Sequence, residues 1–133
     1  MEDKVNVPIN SDTDIVTARQ SGRELAAQIG FTSTDLAIIA TSISELARNI
    51  VSYARTGEVV ISVVQQGTKH GIMIVAKDRG PGIPDIEQAM KDGYSTAKGL
   101  GLGLPGTKRL MDEFEIVSAV RNGTTVTVKK WRR

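Results

Sequence analysis

The chain has 133 residues, of which 40% are hydrophobic, 4% aromatic and 24% charged, and it contains no cysteine. These values predict one compact domain over residues 1–133, and they exclude the collagen-like and disulfide-rich classes. A net charge of only +2 with so few aromatic residues gives no indication of a nucleic-acid partner, and no apolar run approaches the roughly 20 residues of a membrane helix, so we expect a cytoplasmic protein without a membrane partner.

The first part of the sequence predicts a short strand followed by two helices. Residues 5–9 are the strand candidate. Apolar residues at helical spacing then cover residues 14–29, where Ser11 offers a cap and Gly30 ends the pattern. The second helix should cover about residues 33–54. Its apolar stripe consists of Leu36, Ile39, Ala40, Ile43, Leu46, Ala47 and Ile50.

Two later segments alternate apolar and polar residues in the manner of strands. Residues 59–63 and 72–76 form one predicted antiparallel hairpin. Residues 115–120 and 124–131 form the other, and their turn contains Asn122-Gly123, a pair that favours the left-handed backbone of tight hairpins.

Two short helices are predicted between these hairpins, at residues 86–91 and 104–114. The order of elements is therefore helices first and mostly antiparallel strands afterwards. This order predicts an α/β two-layer sandwich, in which helices cover one face of a mostly antiparallel or mixed sheet.

Glu45 and Asn49 are the first candidates for a chemical role. They are four positions apart on the second predicted helix and therefore share one of its faces. At about 100° per residue, that face points almost opposite the apolar stripe. One interpretation is a solvent-exposed back of the helix, and the other is a polar pair with a function.

An acidic loop, Asp78-Arg79-Gly80-Pro81-Gly82-Ile83-Pro84, directly follows a predicted strand. A simple turn could also contain these residues, because glycine permits backbone angles that other residues avoid and proline fixes φ where the turn ends. A turn does not require an acid at the strand end, however, and loops at strand ends often bind ligands. A carboxylate there can accept hydrogen bonds, while glycines let a flat ring approach the backbone.

Gly99, Gly101 and Gly103 belong to a glycine-rich loop that opens the predicted helix at 104–114. Exposed N–H groups and the positive end of a helix both favour anions, so this loop is a candidate phosphate site. It also matches the dinucleotide-binding fingerprint, but it follows a polar stretch instead of a strand. A P-loop is excluded too, because Thr107-Lys108 reverses the required order of the two residue types.

Taken in order, these segments resemble the ATP-binding domain shared by histidine kinases, type II topoisomerases, mismatch-repair MutL proteins and small bacterial serine kinases, known as the GHKL or Bergerat fold. The resemblance covers roughly residues 12–129 and implies binding of ATP and Mg²⁺. Three motifs and a later Gly-Thr pair carry it: Glu45, Asn49, Asp78, Gly80, Gly82, Gly99, Gly101, Gly103, Gly123 and Thr124.

The resemblance implies a role for each matched residue at the adenine end. Asp78 would accept the adenine amino group, and Thr124 would bridge to the base through water. Gly80, Gly82 and Ile83 would complete the nucleotide-binding loop. The second glycine box would hold the phosphates.

At the phosphate end, the resemblance implies that Asn49 supplies an oxygen to Mg²⁺. Glu45 would orient the incoming hydroxyl or take its proton. A cation near the γ-phosphate is also expected. Lys98 or Lys108 could supply it, and the sequence leaves the choice open.

Within this family, residues 44–50, 78–85, 93–96 and 103–114 resemble the switch serine kinases of the bacterial stressosome. This implies phosphorylation of STAS-domain partners of the RsbS and RsbR type, and binding and activation of an RsbU-type phosphatase after release. The alternatives are an anti-sigma factor kinase of the SpoIIAB or RsbW type and a non-catalytic ATP-responsive module. The single histidine, His70, lies in a predicted turn, so the phosphate acceptor is expected on another protein.

Overall fold

The computed structural model describes residues 4–80, 103–119 and 123–132. The predicted helix at 86–91 lies outside these residues. Within them, no helix is both long enough and apolar enough to cross a membrane. The elements are β1 (Lys4–Ile9), α1 (Asp12–Gln28), α2 (Ser33–Asn49), a π-helical turn (Ile50–Ala54), β2 (Gly57–Gln66), β3 (Lys69–Asp78), α3 (Gly103–Leu110), β4 (Glu113–Ala119) and β5 (Gly123–Trp131).

The strands form one five-stranded sheet in the order β1-β2-β3-β5-β4, and each neighbouring pair is antiparallel. Alternate strand residues such as Ile61, Ile74 and Val128 are fully buried, and so is Ile43 of α2. Burial of each such side chain contributes about 1.5–3 kcal/mol to folding. α1 packs on α2, β1 and β2, while α2 also packs on α3. The predicted two-layer α/β sandwich is confirmed.

Local signals define both ends of α1. Asp14 Oδ2 accepts hydrogen bonds from the Asn10 N–H at 2.8 Å and the Ser11 N–H at 3.2 Å, which ties the preceding residues to the first helical turn. Gly30 has φ = +92°, the left-handed conformation in which many helices end. The predicted strand before α1 and the predicted limits of both hairpins agree with the structure to within two or three residues.

The carboxyl end of α2 differs from the continuous helix that its sequence predicts. The α-helix ends at Asn49, and Ile50–Ala54 continue as one π-helical turn before Arg55, which has φ = +72°. In a π-helix the hydrogen bonds span one more residue than in an α-helix. The side chains after Asn49 therefore no longer follow the rotation of 100° per residue on which the sequence prediction was based. Such turns are frequent at functional sites.

The predicted helix at 104–114 is wrong at its carboxyl end. The helix there is Gly103–Leu110, and Phe114 belongs to β4. Apolar residues keep helical spacing up to Phe114, but the Asp112 N–H already donates to the Lys129 carbonyl oxygen at 2.9 Å. The chain has therefore joined the sheet before the apolar pattern stops.

Candidate active site

Asp78 lies where the carboxyl end of β3 meets the amino end of β5, which is its neighbour in the sheet. Its Oδ1 accepts hydrogen bonds from the Gly80 N–H at 2.9 Å and the Thr124 N–H at 3.2 Å. No described residue donates to Oδ2, and the side chain is half-buried. The Thr124 hydroxyl lies 2.8 Å from that of Ser118. Two backbone donors thus orient the carboxylate through one of its oxygens.

Two glycines permit this close packing. A Cβ on Gly80 would lie 2.6 Å from the Cβ of Ala54, at the end of the π-helical turn. Gly123 has φ = +82°, and a Cβ there would overlap the carbonyl oxygen of Asp78. The loop after β3 therefore contacts both the end of the π-helical turn and the start of β5.

Replacing Gly123 with Ala should lower the free energy of unfolding by about 2–4 kcal/mol, because backbone strain and overlap with a neighbouring backbone add together. Gly67→Ala is the matched control. Gly67 also has positive φ, +61°, but a Cβ there would meet nothing within 4 Å, so that variant should lose only about 1 kcal/mol. Urea unfolding measures both, and equal losses would contradict the close approach at Gly123.

Glu45 is buried, although glutamate is rarely buried unless it is paired. Only 6% of the residue is accessible. Its Oε2 accepts a hydrogen bond from the Gly103 N–H at 3.1 Å, and its Oε1 lies 2.5 Å from Arg48 Nη1. The interpretation of this helix face as solvent-exposed is therefore wrong at Glu45, because the start of α3 covers the carboxylate.

The carboxyl end of α2 connects these two clusters. Asn49 follows Glu45 by one helical turn and is half-buried, and no described residue forms a hydrogen bond with its amide. Farther on, Ala54 packs against Gly80 of the Asp78 loop. From Glu45 to Ala54 the helical chain extends about 14 Å. This stretch of chain therefore has one carboxylate, Glu45, in the cluster at its start and another, Asp78, in the loop beside its end.

Comparison with known proteins identifies the family to which this chain belongs. The family described as histidine kinase-like ATPase domain matches residues 10–130. The chain belongs to this family. The Glu45 helix, the Asp78 loop and the start of α3 all lie inside the matched range.

Several relatives of this histidine kinase-like ATPase domain are known. Serine/threonine-protein kinase RsbT of Bacillus subtilis (strain 168) is 52% identical over 133 residues, which is 100% of both chains. The anti-sigma F factor of Geobacillus stearothermophilus is 35% identical over 121 residues, covering 85% of this chain and 81% of that protein. The crystal structure of the RsbU and RsbW domains of Rv1364c from Mycobacterium tuberculosis matches 98% of this chain with a TM-score of 0.64 and 24% identity. This chain spans 33% of that longer one, and the match shows the shared fold.

The identity to RsbT over the full length makes this histidine kinase-like ATPase domain a serine/threonine-protein kinase of the partner-switching type. The resemblance to the switch serine kinases is thereby confirmed. ATP is the ligand expected of an ATPase-family kinase. The family does not by itself assign the individual residues, whose positions come from the structure.

The structure brings several predicted site residues together. Asp78, Gly80 and Thr124 meet at the ends of β3 and β5, while Glu45 and Gly103 meet between α2 and α3. Five further predicted positions of the nucleotide site lie outside the described residues: Gly82, Ile83, Lys98, Gly99 and Gly101.

Sequence reasoning did not single out two residues that contact the site. Arg48 follows Glu45 by three positions, a spacing at which helical side chains pair, and this spacing was an available signal. Ser118 reaches Thr124 through the register of β4 and β5, for which the predicted turn between these strands was an available signal. Lys108, one candidate for the γ-phosphate cation, is exposed on α3.

Proposed function

We propose that this kinase binds ATP along the carboxyl end of α2, with the base at Asp78 and the transferred phosphate beside Glu45. One observation carries the proposal: the hydrogen bond between the Gly103 N–H and Glu45 Oε2. It brings a carboxylate that can act as a general base to the start of a helix, where N–H groups favour anions. A general base and an anion-binding helix start, both of which phosphate transfer needs, are then side by side.

Asp78 would select the nucleotide base. The adenine amino group is a donor and Oδ2 is an acceptor, whereas guanine presents a carbonyl oxygen at the same ring position. Gly80 and Thr124 already orient the carboxylate through Oδ1, so binding requires little rearrangement of this side chain. Gly82 and Ile83 would line the same loop, and the Thr124 hydroxyl would reach the base through water.

Asn49 is the proposed ligand of Mg²⁺. Its donor chemistry fits, because an amide oxygen is a hard ligand of the kind this ion prefers, and no described residue bonds the half-buried side chain. When bound, Mg²⁺ would neutralise negative charge that develops on the phosphate oxygens. Backbone N–H groups of Gly99 and Gly101 would hold the phosphates, while the Gly103 N–H stays on Glu45 Oε2, and Lys98 or Lys108 would supply a cation.

In the transfer step, the hydroxyl oxygen of the acceptor protein bonds to the γ-phosphorus. The bond from that phosphorus to the β,γ-bridging oxygen breaks, and ADP leaves. The hydroxyl proton passes to the Glu45 carboxylate, which contributes about 10²–10⁴-fold as a general base. N–H groups at the start of α3 stabilise the charge on the transferring group.

The proposed acceptors are STAS-domain proteins of the RsbS and RsbR type, and the proposed partner after release is an RsbU-type phosphatase, all in the cytoplasm. Support comes from the 52% identity to RsbT. The chain's single histidine, His70, is a half-buried residue of β3 and not part of the Glu45 cluster. This agrees with an acceptor hydroxyl on a separate protein.

Label transfer tests the proposed acceptors. With radiolabelled ATP and Mg²⁺, an RsbS-type STAS protein should acquire phosphate on a serine or threonine that mass spectrometry can locate. The same protein with that residue replaced by Ala is the control. ATP turnover without the acceptor should be slower than with it, and equal rates would contradict acceptor-dependent transfer.

A second candidate function is an anti-sigma factor kinase, which the 35% identity to the anti-sigma F factor favours. Both candidates share the fold and the proposed ATP site and differ in the partner that they hold. Affinity capture from a lysate of the source bacterium separates them. Recovery of a sigma factor without STAS or phosphatase partners would favour the second candidate.

A further inference from the structure

Arg48 forms an ion pair with Glu45, the side chain on which the proposed transfer step depends. Glu45 has both carboxylate oxygens occupied, Oε1 by the Arg48 guanidinium at 2.5 Å and Oε2 by the Gly103 N–H at 3.1 Å. Only 8% of the Glu45 side chain is accessible, against 46% of the Arg48 side chain. Oε1 is therefore covered by a group that is itself much more exposed to solvent than the carboxylate.

The two donors differ in their freedom to move. Gly103 donates through its backbone at the start of α3, which packs on α2. Arg48 donates from a long, flexible side chain that is nearly half exposed, so its guanidinium can turn into water while the backbone of Gly103 stays in place. Of the two contacts to Glu45, the one with Arg48 is the one that a docking protein can replace.

We propose that Arg48 is a latch on Glu45 that an acidic side chain of the acceptor protein opens. This inference rests on the proposed role of Glu45 as the base. Without an acceptor, the guanidinium occupies Oε1 and hinders water from using the base. When the acceptor docks, its carboxylate pairs with the guanidinium, and Oε1 becomes available to the acceptor hydroxyl.

The surroundings of Arg48 favour a carboxylate as the partner. Its only ion pair among residues 4–80, 103–119 and 123–132 is with Glu45. Ser52 and Arg55 follow on the π-helical turn and directly after it, and both are exposed. A guanidinium binds carboxylates through two parallel hydrogen bonds, which gives the contact direction as well as strength. Arg48 would therefore help to determine which hydroxyl is phosphorylated.

Acceptor-free hydrolysis of ATP tests the latch directly. Arg48→Met, which keeps the aliphatic part of the side chain, should raise this rate about tenfold, as expected when a charge-assisted hydrogen bond no longer competes for the base. The double variant with Glu45→Gln should show no increase, because the gain acts through Glu45. Arg23→Met is the matched control, since Arg23 is exposed on α1 and has no described ion pair.

The outcomes separate this inference from the proposed function. If Arg48→Met binds ATP normally but hydrolyses it at the wild-type rate or more slowly, the latch is overturned. If Glu45→Gln transfers phosphate as the wild type does, the proposed function fails at its base. Should the Met variant fail to fold, Arg48→Lys keeps the charge without the planar fork. An intermediate increase with Lys supports the latch, and no increase overturns it.

Discussion

Replacing Glu45 with Gln should reduce phosphate transfer by about 10²–10⁴-fold, the contribution of a general base. An amide has the shape of the carboxylate but cannot take the hydroxyl proton. The affinity for ATP should stay within about threefold of the wild type, because the proposed nucleotide contacts are made by other groups, chiefly Asp78 and Asn49. Initial rates of label transfer and calorimetric titration with ATP measure the two effects.

The same substitution has a structural cost that must be separated from the catalytic one. The amide nitrogen of Gln would face either the Gly103 N–H or the Arg48 guanidinium, both of which are donors. This should lower the free energy of unfolding by about 1–3 kcal/mol. Urea unfolding measures it, and Glu58→Gln is the control, because Glu58 accepts from Asn6 Nδ2 at 2.8 Å on β2.

Transfer that is undiminished in Glu45→Gln would remove this residue from the mechanism. A wild-type chain that binds ATP tightly yet transfers no phosphate to any STAS protein would instead be a non-catalytic ATP-responsive module. In the proposed site, nucleotide binding would need Asn49 and Asp78 more than it needs a proton acceptor. The burial of Glu45 beside the start of α3 therefore counts against the non-catalytic alternative.

Sequence patterns predicted most of the fold because its signals are local. The two hairpins follow from alternation of apolar and polar residues, and the limits of α1 follow from Ser11 and Gly30, which lie beside the helix. At Phe114 the local sequence pattern predicts the wrong secondary structure. Its spacing is helical, but pairing with β5 decides its conformation, and β5 begins nine positions later in the sequence.

The burial of Glu45 could not be predicted from its own helix. The periodicity of α2 identifies the face that packs on the core, but it carries no information on a second helix that covers the opposite face. That helix begins at Gly103, which is 58 positions away. The pairing of Asp78 with Thr124, 46 positions apart, is equally non-local. Only the resemblance to a family with these motifs connected such residues before the structure did.

Asp78→Asn should weaken ATP binding by about 10–100-fold, the scale of losing a hydrogen bond to a charged group. The amide oxygen can take the place of Oδ1 and keep the bonds from the Gly80 and Thr124 N–H groups. The amide nitrogen then replaces Oδ2 and presents donors to the adenine amino group, which is also a donor. Calorimetric titration with ATP and with GTP should show a reduced preference for ATP, because the guanine carbonyl can accept from the new amide.

Stability measurements show whether weaker ATP binding by Asp78→Asn comes from a lost contact with adenine or from a disrupted loop after β3. Asp78→Asn should unfold close to the wild type, whereas Asp78→Ala should be less stable, because it leaves two backbone donors without their acceptor. Asp35→Asn, in the first turn of α2, is the control for removing a carboxylate elsewhere and should alter stability by only about 0.5 kcal/mol. If Asp78→Asn binds ATP as tightly as the wild type and rejects GTP as strongly, the adenine lies elsewhere. The proposed ATP site along the end of α2 would then have no residue that binds the adenine base, and the burial of Glu45 would need another explanation.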